Sequence, residues 1–265
     1  MSKINWKSQS IVLTGACGGL GTQLAEQISA KGARLLLLGR SKPELAALAE
    51  RLHQDYLVLD LRAPNATVQL HDFIEQQSLS ITGLINNAAT THEGLLEEAT
   101  TEDIQRVIDT NLTVPVALIQ RLLPQLRANH GWVMNIGSVF GAIGFPGQAL
   151  YCASKFGLRG VSEVLQRELL SDDVRVLYCA PRAIQTQLNN GVISRLNQQL
   201  KASADAPEWV AQQIVHQIEQ QQPLKTLGWS EKLFVRLNGL LPELVSSSMK
   251  KPRTLLHQLI KEKSL

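Results

Sequence analysis

Short unbroken apolar runs alternate with stretches of helical periodicity along most of this chain. Residues 10–14 (SIVLT), 34–38 (RLLLL), 56–59 (YLVL), 83–86 (GLIN), 132–136 (WVMNI) and 174–179 (VRVLYC) each read as a strand. Helical patterns fall between them at 21–31, 43–53, 67–77, 101–125 and 151–170, the fourth as one long helix or two joined. In the first, Leu24, Ala25 and Ile28 share a face and Gly32 is a stop signal; Ser41 and Pro43 open the second. Apolar runs without in/out alternation predict strands covered on both faces. Strand–helix–strand repetition predicts a parallel sheet with right-handed crossovers. The expected fold is α/β, a single doubly wound parallel sheet flanked by helices, with ligands at the carboxyl ends of its strands. Residues 183–206 read as a polar loop and 225–265 as a helical appendage, so the expected units are 1–224 and 225–265.

Composition adds bounds. The 265 residues, 44% of them hydrophobic, are ample for a buried core, and no repeat or low-complexity tract interrupts them. A formal net charge of +3, spread along the chain with no aromatic-plus-basic cluster, argues against nucleic acid as a partner. Cys17, Cys152 and Cys179 are odd in number and irregular in spacing, which predicts neither a disulfide framework nor a metal site and suits a reducing cytoplasm. Residues 1–10 carry no apolar signal core, and no apolar run reaches the roughly 18 residues that cross a bilayer.

The first candidate chemistry lies after the first strand, in Thr14-Gly15-Ala16-Cys17-Gly18-Gly19-Leu20-Gly21. Between a strand and a helix, such glycines let backbone approach a pyrophosphate, and the helix N-terminus offers free N–H groups. A plain glycine-rich turn is the alternative. At the end of the second strand, where a carboxylate would hold a ribose 2′-hydroxyl, stand Gly39-Arg40-Ser41. Arg40 offers a planar fork for a 2′-phosphate and Ser41 a hydroxyl, which points to NADP(H); a solvated surface arginine is the bland alternative. Asp60 suits an adenine amino group or a turn cap equally well. Asn86-Asn87-Ala88-Ala89 ends the fourth strand at the same edge, where amides tie strand ends together or simply make a turn.

Tyr151 and Lys155 are four residues apart in a helical stretch, hence on one face. An ammonium beside a phenol lowers its pKa from about 10 and makes it a usable acid/base. Ser138, just past the fifth strand, can hold a substrate oxygen beside that phenol. Singly these are a helix-start aromatic, a solvated charge and a turn residue; together with the glycine turn they make a site.

The set resembles the short-chain dehydrogenase/reductase family: TGxxxGxG at 14–21, Asp60, NNA at 86–88, Asn111 in TNL, Ser138, YxxxK at 151–155 with twelve residues between the serine and the tyrosine, and Pro181 followed by Thr186. The resemblance implies a Rossmann-type fold and a hydride exchange between NADP(H) and a carbonyl or alcohol. It implies that Tyr151 protonates the carbonyl oxygen, that Ser138 orients it, and that these two residues touch the substrate. Lys155 holds the nicotinamide ribose, and Asn111 holds a water of a proton relay. Cofactor contacts are implied for Thr14, Gly15, Gly18, Gly19, Leu20, Gly21, Arg40, Ser41, Asp60, Leu61, Asn87, Ala88, Ala89, Tyr151, Lys155, Pro181, Ile184 and Thr186. A homodimer or homotetramer built on 101–125 and 151–170 is implied as well. Two positions depart from the family: Ala89 replaces the glycine of NNAG, and Arg182 replaces the glycine after Pro181. Arg182 is expected to narrow the site or to attract an anionic substrate or cofactor phosphate.

Two segments bear on the substrate. Leu188, Val192, Ile193 and Leu196 in 183–206 resemble an apolar lid, which suits a lipid-like or acyl ketone. In 229–247, Trp229, Leu233, Phe234, Leu237, Leu240, Leu241, Leu244 and Val245 have amphipathic helical spacing, with Pro242 expected to break it. From Lys225 onward eight lysines and arginines face three acids. Such a segment lies on a membrane surface, packs on its own domain, roofs the cleft or meets a partner subunit. A non-catalytic, dinucleotide-sensing or scaffolding use of the fold is the competing function.

Overall fold

The computed structural model describes residues 4–172, 174–189 and 191–263. In chain order its elements are β1 (Ser10–Thr14), α1 (Gly19–Ala30), β2 (Arg34–Gly39), α2 (Lys42–Leu52), β3 (Asp55–Val58), α3 (Ala66–Gln76), β4 (Gly83–Asn86), α4 (Thr101–Ile108), α5 (Val114–Ala128), β5 (Trp132–Ile136), α6 (Ala149–Glu168), β6 (Arg175–Ala180), α7 (Val192–Gln199), α8 (Pro207–Glu219), β7 (Leu224–Thr226), α9 (Trp229–Leu240), α10 (Pro242–Ser248) and α11 (Lys250–Lys263).

The strands form one parallel sheet in the order β3-β2-β1-β4-β5-β6-β7. As expected from their apolar runs, β1, β4 and β5 are buried on both faces. One core layer joins Ile11, Leu13, Leu35 and Leu37 to Leu24 and Ile28 of α1 and to Val210, Ile214 and Ile218 of α8. The other joins Val12, Leu36, Leu38 and Leu84 to Leu70 and Ile74 of α3 and to Leu118, Leu122 and Leu126 of α5. The chain reverses direction across the sheet between β1 and β4, and at that switch point a crevice opens at the strand carboxyl ends.

The stretch 101–125 is two joined helices, the second of the two forms expected. A π-helical turn over Asp109–Thr113 joins α4 to α5, and Pro115, which has no N–H to give to the preceding turn, stands just after it. Several expectations need correction. The segment read as loop contains α7, whose Val192, Ile193 and Leu196 are buried by Leu256 and Leu259 of α11. Strand β7 crosses the expected boundary at residue 224, so the sheet continues through Thr226. Pro242 does end one helix, and it opens the next as its first residue. Ser41 occupies the cap position of α2, but its side chain makes no capping bond.

The extension folds back on its own domain. Val245 packs with Val139 and Ile143, which follow Ser138 in sequence. Asn238 Nδ2 donates to the Ala142 carbonyl at 2.9 Å.

Candidate active site

The glycine turn is sewn to the fourth strand. Thr14 Oγ1 accepts from the backbone N–H groups of Asn87 and Ala88, each at 3.0 Å. Asn87 Nδ2 donates to the carbonyls of Thr14 and Gly15, both at 3.0 Å. Asn87 therefore ties strand ends together, the first of the two roles its position allowed. Gly15 has φ +65°, and a Cβ there would lie 2.8 Å from Ala88 Cα. A Cβ at Gly21 would collide with the Gly15 carbonyl. These glycines are required by close approach. Gly18 takes the cap position of α1, no side chain caps its first N–H groups, and Leu20 in that first turn is buried.

Thr186 roofs this turn: a Cβ on Gly19 would lie 2.9 Å from its Cγ2. Ile184 is held by a bridge to Asp205, and the Pro181 carbonyl accepts from Val139 N–H at 3.0 Å. The segment after β6 thus lies against both the glycine turn and the turn carrying Ser138.

At the end of β2, Arg40 is exposed and makes no ion pair or hydrogen bond among the described residues. With the uncapped Ser41 hydroxyl beside it, it is a cation without a carboxylate to neutralise it. Asp60 is exposed, and its Oδ1 accepts from Arg62 N–H at 3.0 Å, the turn-cap arrangement; Leu61 lies in that turn. Ala88 and Ala89 follow Asn87 at the crevice edge, half-buried. These cradle residues fit a dinucleotide: backbone N–H groups where phosphate charge would lie, and no Cβ to fill the space.

Ser138, Tyr151 and Lys155 come together as expected. The Ser138 side chain lies beside the Tyr151 hydroxyl and draws its pKa downward. Its Oγ also accepts from Phe140 N–H at 3.1 Å. Lys155 is buried, with Nζ 5.7 Å from the centre of the Tyr151 ring. The expected pull of the ammonium on the phenol is not what governs its acidity here. Burial pushes Tyr151 up to about 12, while the Ser138 side chain pulls it down and Cys152 adds a push upward. Burial also brings Lys155 down to about 8, so its charge is only narrowly kept near neutrality, and Nζ donates to the Ile136 carbonyl at 2.8 Å.

Asn111 is buried in the π-helical turn with its side chain already engaged. Its Oδ1 accepts from Thr90 N–H at 2.8 Å; its Nδ2 donates to the Thr90 carbonyl at 2.8 Å and to Ser154 Oγ at 3.0 Å. Ser154 Oγ donates to the Tyr151 carbonyl at 2.8 Å, which links the turn to the first turn of α6.

Arg182 does not present a free cation. Its guanidinium forks onto Asp205, with Nε and Nη2 at 2.9 and 2.7 Å from the two carboxylate oxygens, and Nη1 lies 3.6 Å from Glu231. The Asp205 bonds raise its pKa further. The residue that replaces glycine is a clasp between the β6 loop, the start of α8 and the start of α9.

Two contributors escaped the sequence reading. Tyr178 in β6 is buried with its Oη 3.4 Å from Ser138 N and 3.5 Å from the Ser138 carbonyl oxygen. A Cβ on Gly137 or Gly141 would strike its ring end, so those glycines were the available signal. Glu93 accepts Ile193 N–H at 3.1 Å and thereby caps α7; nothing local marks it. Among the described residues no group of His, Cys, Asp and Glu could hold a metal.

The comparisons agree with this geometry. A sequence profile of the short chain dehydrogenase family matches residues 9–197. The 3-oxoacyl-[acyl-carrier-protein] reductase FabG of Rickettsia bellii is 32% identical over 189 residues, covering 71% of this chain and 77% of its own. A short-chain dehydrogenase/reductase of Burkholderia phymatum in complex with NAD superposes with a TM-score of 0.84 at 19% identity, over 91% of this chain and 96% of its own. A short-chain dehydrogenase of Sphingobium yanoikuyae in complex with NADPH gives 0.77 at 25% identity, over 90% and 95%. The glycine turn, the sewn strand ends and the Ser138–Tyr151–Lys155 cluster thus stand in a chain that belongs to the short-chain dehydrogenase family.

Proposed function

We propose that this chain is an NADP(H)-dependent oxidoreductase that reduces a ketone or aldehyde, or oxidises the corresponding secondary alcohol. The observation that carries the reading is the cluster itself: Ser138 stands beside the Tyr151 hydroxyl, and buried Lys155 has its Nζ 5.7 Å from the Tyr151 ring centre. The bound nicotinamide dinucleotide would supply or take up the hydride at the carbonyl carbon. Tyr151, protonated in the free chain, gives its phenolic proton to the carbonyl oxygen as the C–H bond forms, so that ketone, hydride and proton yield the alcohol. Ser138 holds the same oxygen through its hydroxyl. Lys155 holds the ribose hydroxyls, and its charge stabilises the phenolate left behind. Because the Asn111 side chain is engaged, a relay water at that position is the task of its main chain.

Arg40 with Ser41 supports NADP(H) over NAD(H), since an exposed fork without an acid beside it suits a 2′-phosphate. The reading favours reduction. The similarity to a 3-oxoacyl-[acyl-carrier-protein] reductase supports a lipid-like or acyl carbonyl substrate. A homodimer or homotetramer is supported by α6, where Phe156 and Val164 are exposed on one face with Gly160 between them, open to solvent. The cytoplasm remains the proposed location. NADPH oxidation across a carbonyl panel tests the activity: wild type should turn over at least one member, and Tyr151→Phe should lose it by about a thousandfold or more. Turnover that survives this substitution overturns the mechanism. A nucleotide that binds with no turnover across the panel favours the non-catalytic alternative.

A further inference from the structure

Helix α9 buries none of its residues fully. Its inner side is accounted for: Val235 packs on the Val139–Ile143 cluster, Asn238 bonds Ala142, and Glu231 faces Arg182. Its outer side is not. Trp229, Leu233 and Leu240 fall within about 40° of one another on a helical wheel, and Phe234 flanks them, while Leu237 turns inward with Val235. At the turn into α10, Leu241 and Leu244 extend it. Trp229, Leu233, Phe234, Leu240, Leu241 and Leu244 are between 41 and 80% exposed. Six large apolar side chains on nineteen residues, all facing water, are far more than scattered surface hydrophobics.

The border of this stripe has one sign. Lys232 and Arg236, one helical turn apart, run along it and make no ion pair among the described residues, and both are exposed. The extension holds eight lysines and arginines to three acids, and one of those acids, Glu231, is turned inward to Arg182. An apolar stripe with a basic edge and a tryptophan at its end matches an interfacial helix on anionic lipid. No described helix is long and apolar enough to cross a membrane, so the contact is one of lying on the surface.

We propose that the α9–α10 face docks on an anionic membrane surface, with Trp229, Leu233 and Leu240 entering the headgroup boundary and Lys232 and Arg236 meeting lipid phosphates. The docking face is joined to the site through α10, whose Val245 packs on the segment after Ser138. An apolar carbonyl compound carried in the leaflet would therefore reach the crevice without crossing bulk water. Such delivery depends on the proposed carbonyl activity, whereas docking does not.

The test uses the full chain and vesicles of phosphatidylcholine alone or with about a third phosphatidylserine. Wild type should co-sediment with the mixed vesicles, weaken as salt rises, and stay in solution with phosphatidylcholine alone. The triple variant Trp229→Ser/Leu233→Ser/Leu240→Ser should lose about a hundredfold or more in partitioning. Lys232→Gln/Arg236→Gln should lose about thirtyfold. All five side chains are exposed, and an unchanged melting temperature checks that the fold is kept. On vesicles wild type should show a blue shift in tryptophan emission that Trp229→Phe abolishes. Wild type that stays in solution with both vesicles overturns the proposal, as does equal sedimentation of all forms. So does a fall in subunit number on the triple substitution without lipid, which would assign the face to a second copy. Failure of the carbonyl panel would leave these readouts untouched.

Discussion

Arg182 and Asp205 clasp each other across the base of the segment that covers the glycine turn. The fork of two bonds, at 2.9 and 2.7 Å, is backed by backbone bonds from Asp205 N to the Ala183 carbonyl and from Gln185 N to the Asp205 carbonyl. Both ends of 183–205 are thereby fixed to one point. Asp205→Asn should loosen the segment: the KM for NADPH should rise several-fold, with a smaller change in kcat, and limited proteolysis between α7 and α8 should quicken. A double-mutant cycle with Arg182→Gln should return a coupling of about 1–3 kcal/mol. Additive losses would show that the pair carries no more than an exposed ion pair does.

Arg40 is the residue on which nucleotide choice is expected to turn. Arg40→Asp should lower kcat/KM for NADPH by about ten- to a hundredfold, because a charged hydrogen-bonding partner of the 2′-phosphate is replaced by a like charge. NADH should gain relative to it. An unchanged ratio of the two nucleotides would remove Arg40 from the site.

Tyr178 touches the Ser138 backbone, and its expected role is to position Ser138. Tyr178→Phe keeps the ring that fills the space beside Gly137 and Gly141, yet removes the oxygen against the Ser138 backbone. Its expected effect is a fall in kcat of about tenfold with KM for NADPH unchanged. Tyr178→Leu should cost stability as well, by about 1–3 kcal/mol, from lost packing. A purely structural role would move stability alone.

Lys155 gives a pH signature. Its amine is held near 8 in the folded chain and titrates at the ordinary 10.5 when unfolded. Between those values the unfolded chain binds more protons, so this group makes folding stability rise with pH from about 8 to about 10.5 and contributes its full cost below that window. Lys155→Met should abolish turnover yet, relative to wild type, be more stable at pH 7 by on the order of 2 kcal/mol, with the advantage shrinking by pH 10. Chemical denaturation at the two pH values measures it. An advantage that does not shrink would mean the amine is not strained by burial.

Much of this was legible in the sequence because it is local. Strands β1, β4 and β5 carry their own apolar runs, and the glycine turn, Ser138 and the Tyr151–Lys155 pair are set by spacing along single elements. What could not be read is non-local. Helix α7 is short and mixed, and its three buried side chains are covered by α11, some sixty residues later. Strand β7 is three residues of ordinary composition whose pairing with β6 makes it a strand. Tyr178 looks like any inward aromatic in a buried strand. Arg182 stands out by following Pro181, but its partners Asp205 and Glu231 lie far along the chain, so its neutralisation is invisible in the sequence. Asn111 announced itself by motif, while the π-helical turn that carries it and the Thr90 and Ser154 bonds that occupy its side chain did not.

Glu93 holds one end of α7 by its backbone, and Leu256 and Leu259 hold its underside. Any motion that lifts α7 must also uncover those two leucines. Helix α11 therefore reports on how firmly α7 is seated. If nucleotide binding steadies α7, the amides of α11 should exchange with solvent more slowly, although the nucleotide touches none of them.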